Sequence, residues 1–171
     1  RGNISSWLEA YDPVAQKVVW KSQNAVYGAS GTMVTASDLV FMGDHTGHFN
    51  AYDAKTGEKV WSVPVQAKVV AAPSTYVIDG EQYVAIMVGT GSSWAMIGGD
   101  SNMKGFVLPN VSRLLVYKLG GTVQLPAAPA MVRPPMDPPA ATASADVVGR
   151  GATAYDTWCS SCHGAGAIGI G

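Results

Sequence analysis

A stretch of eleven residues occurs twice, and this repetition constrains the fold more than any other feature. Ala10-Tyr11-Asp12-Pro13-Val14-Ala15-Gln16-Lys17-Val18-Val19-Trp20 aligns with Ala51-Tyr52-Asp53-Ala54-Lys55-Thr56-Gly57-Glu58-Lys59-Val60-Trp61, 41 residues further on. Each copy reads as a strand ending in Ala-Tyr-Asp, a turn, and a second strand carrying a tryptophan. In the second copy Lys55-Thr56-Gly57 gives the turn a glycine for a positive φ. The first copy has Val14-Ala15-Gln16 there, a less typical turn. A self-similar unit of about 40–50 residues with four strands is the signature of a β-propeller blade.

The strands of one blade can be placed between the two copies. Thr32 to Thr35 is the expected inner strand, Leu39 to Gly43 the second, Phe49 to Asp53 the third and Lys59 to Val63 the outer one. Asp44-His45-Thr46-Gly47 forms the hairpin between the second and third. An incomplete blade follows as Val69 to Ile78, Tyr83 to Val88 and Arg113 to Leu119, with Asp79-Gly80 as a tight turn. Between its last two strands lies an insertion from Gly89 to Ser112, rich in Gly, Ser, Asn and Met. Long loops of this kind in compact domains are often functional. Trp20, Trp61, Tyr11 and Tyr52 read as packing residues, and His45 and His48 as solvent-facing turn residues.

After residue 123 the composition changes. Gln124 to Ala145 is rich in Pro and Ala with few charges, and reads as a semi-rigid linker. Met131 and Met136 belong to it. Then Val148, Ala152, Tyr155 and Cys159 recur at helical spacing, so one apolar face runs into Cys159-Ser160-Ser161-Cys162-His163. This is Cys-x-x-Cys-His, the pattern for covalent attachment of a c-type haem. Two thiols at that spacing reach the two vinyl groups of a porphyrin, and the adjacent imidazole supplies the proximal iron ligand. Three other readings stand beside it. A zinc half-site needs a second ligand pair, and His45 and His48 are the only other histidines. A thioredoxin-type redox pair is expected near a βαβ pattern, which is not found. The third is a fortuitous occurrence.

Nearly half of the 171 residues are apolar and the net charge is −1. The composition is that of a folded chain, and nothing in the charge suggests a nucleic-acid partner. No apolar run approaches the length of a membrane span. The start, Arg1-Gly2-Asn3, is neither an initiator methionine nor a signal peptide. The expectation is therefore a piece of a longer protein.

Ala-Tyr-Asp…Thr-Gly…Trp repeats, then a Pro-rich linker, then Cys-x-x-Cys-His resemble the pyrroloquinoline quinone (PQQ)-dependent quinohaemoprotein alcohol dehydrogenases. Asp12 to Lys17, Leu39-Val40-Phe41, Ala51-Tyr52-Asp53, Tyr83-Val84-Ala85 and Ser112 to Tyr117 carry the resemblance. It implies a mainly β chain. Residues 1–123 would be the last blades of an eight-bladed quinone-binding propeller, 124–145 a linker, and 146–171 the truncated start of an α-helical cytochrome c domain. It implies haem c held by Cys159 and Cys162, with His163 on the iron and a distal methionine beyond residue 171. It also implies PQQ and calcium. Gly91, Ser92, Ser93 and Trp94 resemble the late loop closing over the quinone pocket, though a packing role for Trp94 stays open. The family's catalytic base, calcium ligands and quinone-stacking tryptophan lie earlier in the chain, so no catalytic residue is assigned here and the piece alone is expected to be inactive. Gly28-Ala29-Ser30-Gly31 also lacks the tryptophan of a Trp-x-Gly-Gly-like stretch usual in the family.

The activity implied is periplasmic oxidation of a small alcohol. Electrons would pass through the haem to a soluble cytochrome, a copper protein or a membrane quinone system. The alternatives are a non-enzymatic propeller scaffold, against which the haem motif argues, and a related dehydrogenase of sugars or polymeric alcohols.

Overall fold

A computed structural model of the chain describes residues 5–25, 30–89, 108, 111–130, 137, 140 and 142–163. Its first repeat forms a two-stranded ribbon, β1 (Trp7–Asp12) and β2 (Lys17–Gln23). A four-stranded antiparallel sheet follows in simple up-and-down order: β3 (Thr32–Val34), β4 (Leu39–Gly43), β5 (His48–Asp53) and β6 (Lys59–Pro64). A three-stranded sheet comes next, with β7 (Ser74–Ile78), β8 (Glu81–Val88) and β9 (Arg113–Lys118).

The two repeats have the same register. Ala10 pairs with Trp20 and Ala51 with Trp61, and each ladder slips by one residue at the following tyrosine. The turns agree as well. Asp12 Oδ1 accepts hydrogen bonds from the Val14 and Ala15 amides, and Asp53 Oδ1 from those of Lys55 and Thr56. An aspartate that binds its own backbone two and three residues on nucleates such a turn.

The two central strands of the middle sheet, β4 and β5, are covered on both faces, while the outer strands β3 and β6 leave Val34 and Val60 exposed. Toward the ribbon, Val40, Met42 and Tyr52 pack with Leu8 and Ala54. Toward the third sheet, Phe49 joins Val65, Ala67, Val69, Ile86, Val88 and Leu115. Phe49 also sets its ring edge-on to Trp61 and tilted against Tyr117, with centroids 5.8 and 5.6 Å away.

The structure departs from the sequence reading in one connection. The strand expected from Val69 begins only at Ser74. Residues 65–73 instead run over the ends of the sheets, and Val65, Ala67 and Val69 are fully buried. Their backbone is satisfied by turns and neighbouring segments, through Val65 N to Gly47 O, Val69 N to Asp44 O and Gly31 N to Val70 O. Gly43 permits this crossing, since a Cβ there would lie 2.1 Å from Val69 Cγ1. Described residues between 119 and 144 carry no regular structure, and Leu125 packs onto the larger core. The chain then enters α1 (Ala145–Trp158) and a single turn, α2 (Ser160–His163).

Candidate functional site

The β4–β5 turn, the 65–73 connector and the stem of the long insertion gather at one end of the sheets. Gly89 donates its amide to Lys68 O at 2.8 Å, and the Leu108 side chain lies against Gly47. Arg113, at the other side of the stem, donates to Gln66 Oε1 at 3.2 Å. Gly91, Ser92, Ser93 and Trp94, expected to line a quinone pocket, lie outside the described residues. Their loop is rooted in this end of the sheets.

Asp44 organises the turn. Its Oδ1 accepts from Thr46 N at 2.9 Å, Thr46 Oγ1 at 2.7 Å and His48 N at 3.0 Å. Its Oδ2 accepts from Asn50 Nδ2 at 2.9 Å, and Asn50 Oδ1 accepts from Ser62 Oγ at 2.7 Å. Asp44 is half-buried, and a carboxylate drawn out of water needs partners of this kind to offset its lost hydration. The network borders a polar cleft of ≈ 210 Å³ between the ribbon and the middle sheet. Burial and the Asp44 charge push the Tyr52 phenol up to about 12, so it stays protonated at neutral pH.

The sequence reading missed this hub by treating residues 44–47 as a plain hairpin. The signal was Asp44-x-Thr46-x-His48-x-Asn50, polar residues at every second position through the turn and into β5. His45 corrects a second expectation: it is 6 % exposed rather than solvent-facing, because the connector bonds back over the turn. His48 is half-buried, with Nδ1 3.0 Å from Thr46 Oγ1.

The Cys-x-x-Cys-His segment is helical. Cys159 N donates to Tyr155 O at 2.8 Å and His163 N to Cys159 O at 2.9 Å. Cys159 and His163 are four residues apart, so the backbone places them on one helical face. Both are exposed, and no residue of α1 is buried. An accessible thiol and an accessible imidazole one turn apart fit the requirements of a haem edge and its iron. Among the described residues no group of three or more His, Cys, Asp or Glu is placed to hold a metal ion. Also among them, no helix is long and apolar enough to cross a membrane.

Comparison with known proteins follows the same lines. The family profile "PQQ: Glucose/ethanol/alcohol dehydrogenase, beta-propeller domain" matches residues 7–84. The chain is 43 % identical to quinohemoprotein alcohol dehydrogenase ADH IIB of Pseudomonas putida, over 96 % of this chain and 24 % of that protein. The solved structure of ADHIIG from Pseudomonas putida HK5 superposes with a TM-score of 0.77 at 38 % identity, covering 98 % of this chain and 24 % of that one. The quinohemoprotein alcohol dehydrogenase of Comamonas testosteroni superposes at 0.72 with 32 % identity, over 94 % of this chain and 22 % of that one. The chain thus spans about a quarter of the length of the curated relatives it matches.

Proposed function

The chain is, over nearly its whole length, a homologue of the PQQ-dependent quinohaemoprotein alcohol dehydrogenases, and from that premise we propose that it is the part of such an enzyme where the propeller gives way to the haem domain. Residues 1–123 are then late blades of an eight-bladed propeller, 124–145 the linker and 146–171 the beginning of a cytochrome c domain. The whole protein oxidises small alcohols to aldehydes in the periplasm. It delivers the electrons to an external acceptor, a soluble cytochrome, a copper protein or a membrane quinone system. The quinone, assisted by calcium, supplies the two-electron acceptor chemistry and the haem the one-electron step.

What this chain contributes is placement. Cys159 and Cys162 hold the porphyrin by thioethers, and His163 orients toward the iron. Gly91, Ser92, Ser93 and Trp94 line part of the quinone pocket, on a loop whose stem is tied at Gly89 to Lys68 O. No calcium ligand is assigned to the described residues. The observation that carries the reading is that identity to ADH IIB extends over 96 % of the chain. That span takes in both the blade repeat and the Cys-x-x-Cys-His helix.

The test is dye reduction by the natural full-length protein reconstituted with PQQ and calcium. Primary alcohols are expected to support it and the quinone-free protein to show none. Turnover with sugars or polymeric alcohols but not with simple alcohols would move the substrate to the related dehydrogenases. No turnover with any alcohol, in protein shown to carry quinone, would return the chain to a scaffold role.

A further inference from the structure

The β4–β5 turn carries more than its own hairpin. Among the described residues Asp12 and Asp53 each accept hydrogen bonds only from their own turn, and through Oδ1 alone. Asp44 uses both oxygens. Oδ1 holds Thr46 and the His48 amide, and Oδ2 holds Asn50, whose own oxygen accepts from Ser62 of β6. Asn50 is fully buried, so its amide has no water to replace a lost acceptor. The turn fixed in this way bears the connector, through Val69 N to Asp44 O at 3.0 Å and Val65 N to Gly47 O at 2.8 Å. The connector bears both ends of the insertion between β8 and β9. Lys68 O accepts from Gly89 N on the β8 side, and Gln66 Oε1 accepts from Arg113 on the β9 side. Leu108 meets the turn directly, since a Cβ on Gly47 would lie 2.6 Å from Leu108 Cδ1. The two ends are also pinched together, for a Cβ on Gly89 would lie 2.7 Å from Ser112 Oγ.

A functional loop is placed by the rigid scaffold that holds its ends. We propose that Asp44 is a positioning residue for the insertion: its carboxylate fixes the β4–β5 turn, and the turn, with the connector laid over it, fixes both ends of the loop. Its bearing on the chemistry rests on the reading that Gly91, Ser92, Ser93 and Trp94 line the quinone pocket. Hydrogen bonding, not charge, is what the carboxylate supplies. In Asp44→Asn the amide oxygen keeps the Thr46 and His48 donors. A flip of the Asn50 amide lets its oxygen accept from the new Nδ2, and Asn50 Nδ2 then donates to Ser62 Oγ. Ser62 is exposed, so its hydroxyl hydrogen turns to water. Asp44→Ala leaves all four donors without their acceptor. A role in positioning therefore survives asparagine and not alanine, whereas a role for the negative charge is lost in both.

The test is hydrogen exchange, resolved by peptide, on the natural full-length protein without quinone. Asp44→Ala is expected to speed exchange of the Val65, Val69 and Gly89 amides about five-fold, the effect of one lost hydrogen bond, and to leave the β1–β2 amides unchanged. Asp44→Asn is expected to exchange as the wild type does. PQQ titrated into the same proteins and followed by tryptophan fluorescence should bind about five-fold more weakly to Asp44→Ala, again the effect of one hydrogen bond, and unchanged to Asp44→Asn. If Asp44→Ala does not fold, Thr46→Val removes one of the four donors and should give a smaller change in the same direction. Three results would overturn the inference: Gly89 exchange unchanged while only Val65 and Val69 speed up, acceleration shared equally by the β1–β2 ribbon, or asparagine as impaired as alanine. Faster Gly89 exchange with unchanged quinone affinity would uphold the positioning role and remove the insertion from the quinone pocket, so the two readings fail separately.

Discussion

Gln16 and Gly57 stand 41 residues apart and share one backbone conformation, with φ of 52° and 74°. For a residue with a Cβ that left-handed conformation is strained by about 1 kcal/mol, and glycine is free of the strain. Gln16→Gly is therefore expected to stabilise by no more than about 0.5 kcal/mol once the extra unfolded-chain entropy is deducted, read as a slightly higher denaturation midpoint. The reverse change at Gly57 is far worse, because a Cβ there would lie 2.4 Å from the Trp20 ring. Both turns rest on an aspartate, and the Thr56 and Lys55 amides hold the Asp53 carboxyl below its usual range. A carboxyl depressed in the fold adds stability that is fully present above its unfolded value near pH 4, and is lost as the pH falls through the lower folded value. Asp53→Asn should flatten the acid limb of the stability curve below about pH 4, measured by urea denaturation across pH. An acid limb unchanged by the substitution would refute this. The sequence showed these turns through Gly57 and the repeat itself. It did not show that Gln16 would take the same φ, since that conformation is imposed by the ladder on either side and not by local preference.

At the scale of elements the tryptophans do the joining. Trp20 leaves the ribbon to lie on Gly57 and donates Nε1–H to Ala54 O at 2.9 Å, both in the next sheet. Trp61 reaches the third sheet in the same direction, edge-on to Tyr117 with centroids 5.6 Å apart. Trp20→Phe should cost about 1 kcal/mol for the lost hydrogen bond and more for lost packing. It should lower the melting temperature while leaving far-UV circular dichroism unchanged, and an unaltered melting temperature would contradict the role. The strands themselves were legible because their alternation and their punctuation by Asp and Gly are local signals. Thus β4 has its expected bounds and β5 and β6 shift by one residue. The 65–73 connector was not legible. Val65, Ala67 and Val69 alternate as a strand would, but the Val65 and Val69 amides bond to the β4–β5 turn and not to a neighbouring strand. His45 was misread for the same reason, because what buries it arrives from a later part of the chain. The Asp44 network was only half visible, its residues spaced at period two but their convergence on one carboxylate a product of the turn.

At the scale of the whole molecule, burial is uneven in a way that matches a chain spanning a quarter of its relatives. The central strands β4 and β5 are covered on both faces, whereas the third sheet leaves Met87, Leu114 and Val116 about half exposed, and α1 buries nothing. The haem assignment is what ties this helical end to the β-rich remainder in function, and it gives the sharpest prediction. Thioether attachment needs both thiols, and the imidazole must sit beside the second to hold the ring in register. In natural full-length protein made with a haem-maturation system, one covalent haem per chain is expected. Cys159→Ala or Cys162→Ala should weaken or abolish the haem-stained band on a denaturing gel. His163→Ala should keep the band but shift the absorption spectrum and the midpoint potential, because axial-ligand identity is a main lever on both. Alcohol should still reduce the quinone in these variants while reduction of the external acceptor stops. A haem-free band from properly matured wild-type protein would remove the haem from the chain. The Cys-x-x-Cys-His segment would then return to the zinc, redox or fortuitous readings, and the electron route to an external acceptor would have to start from the quinone itself.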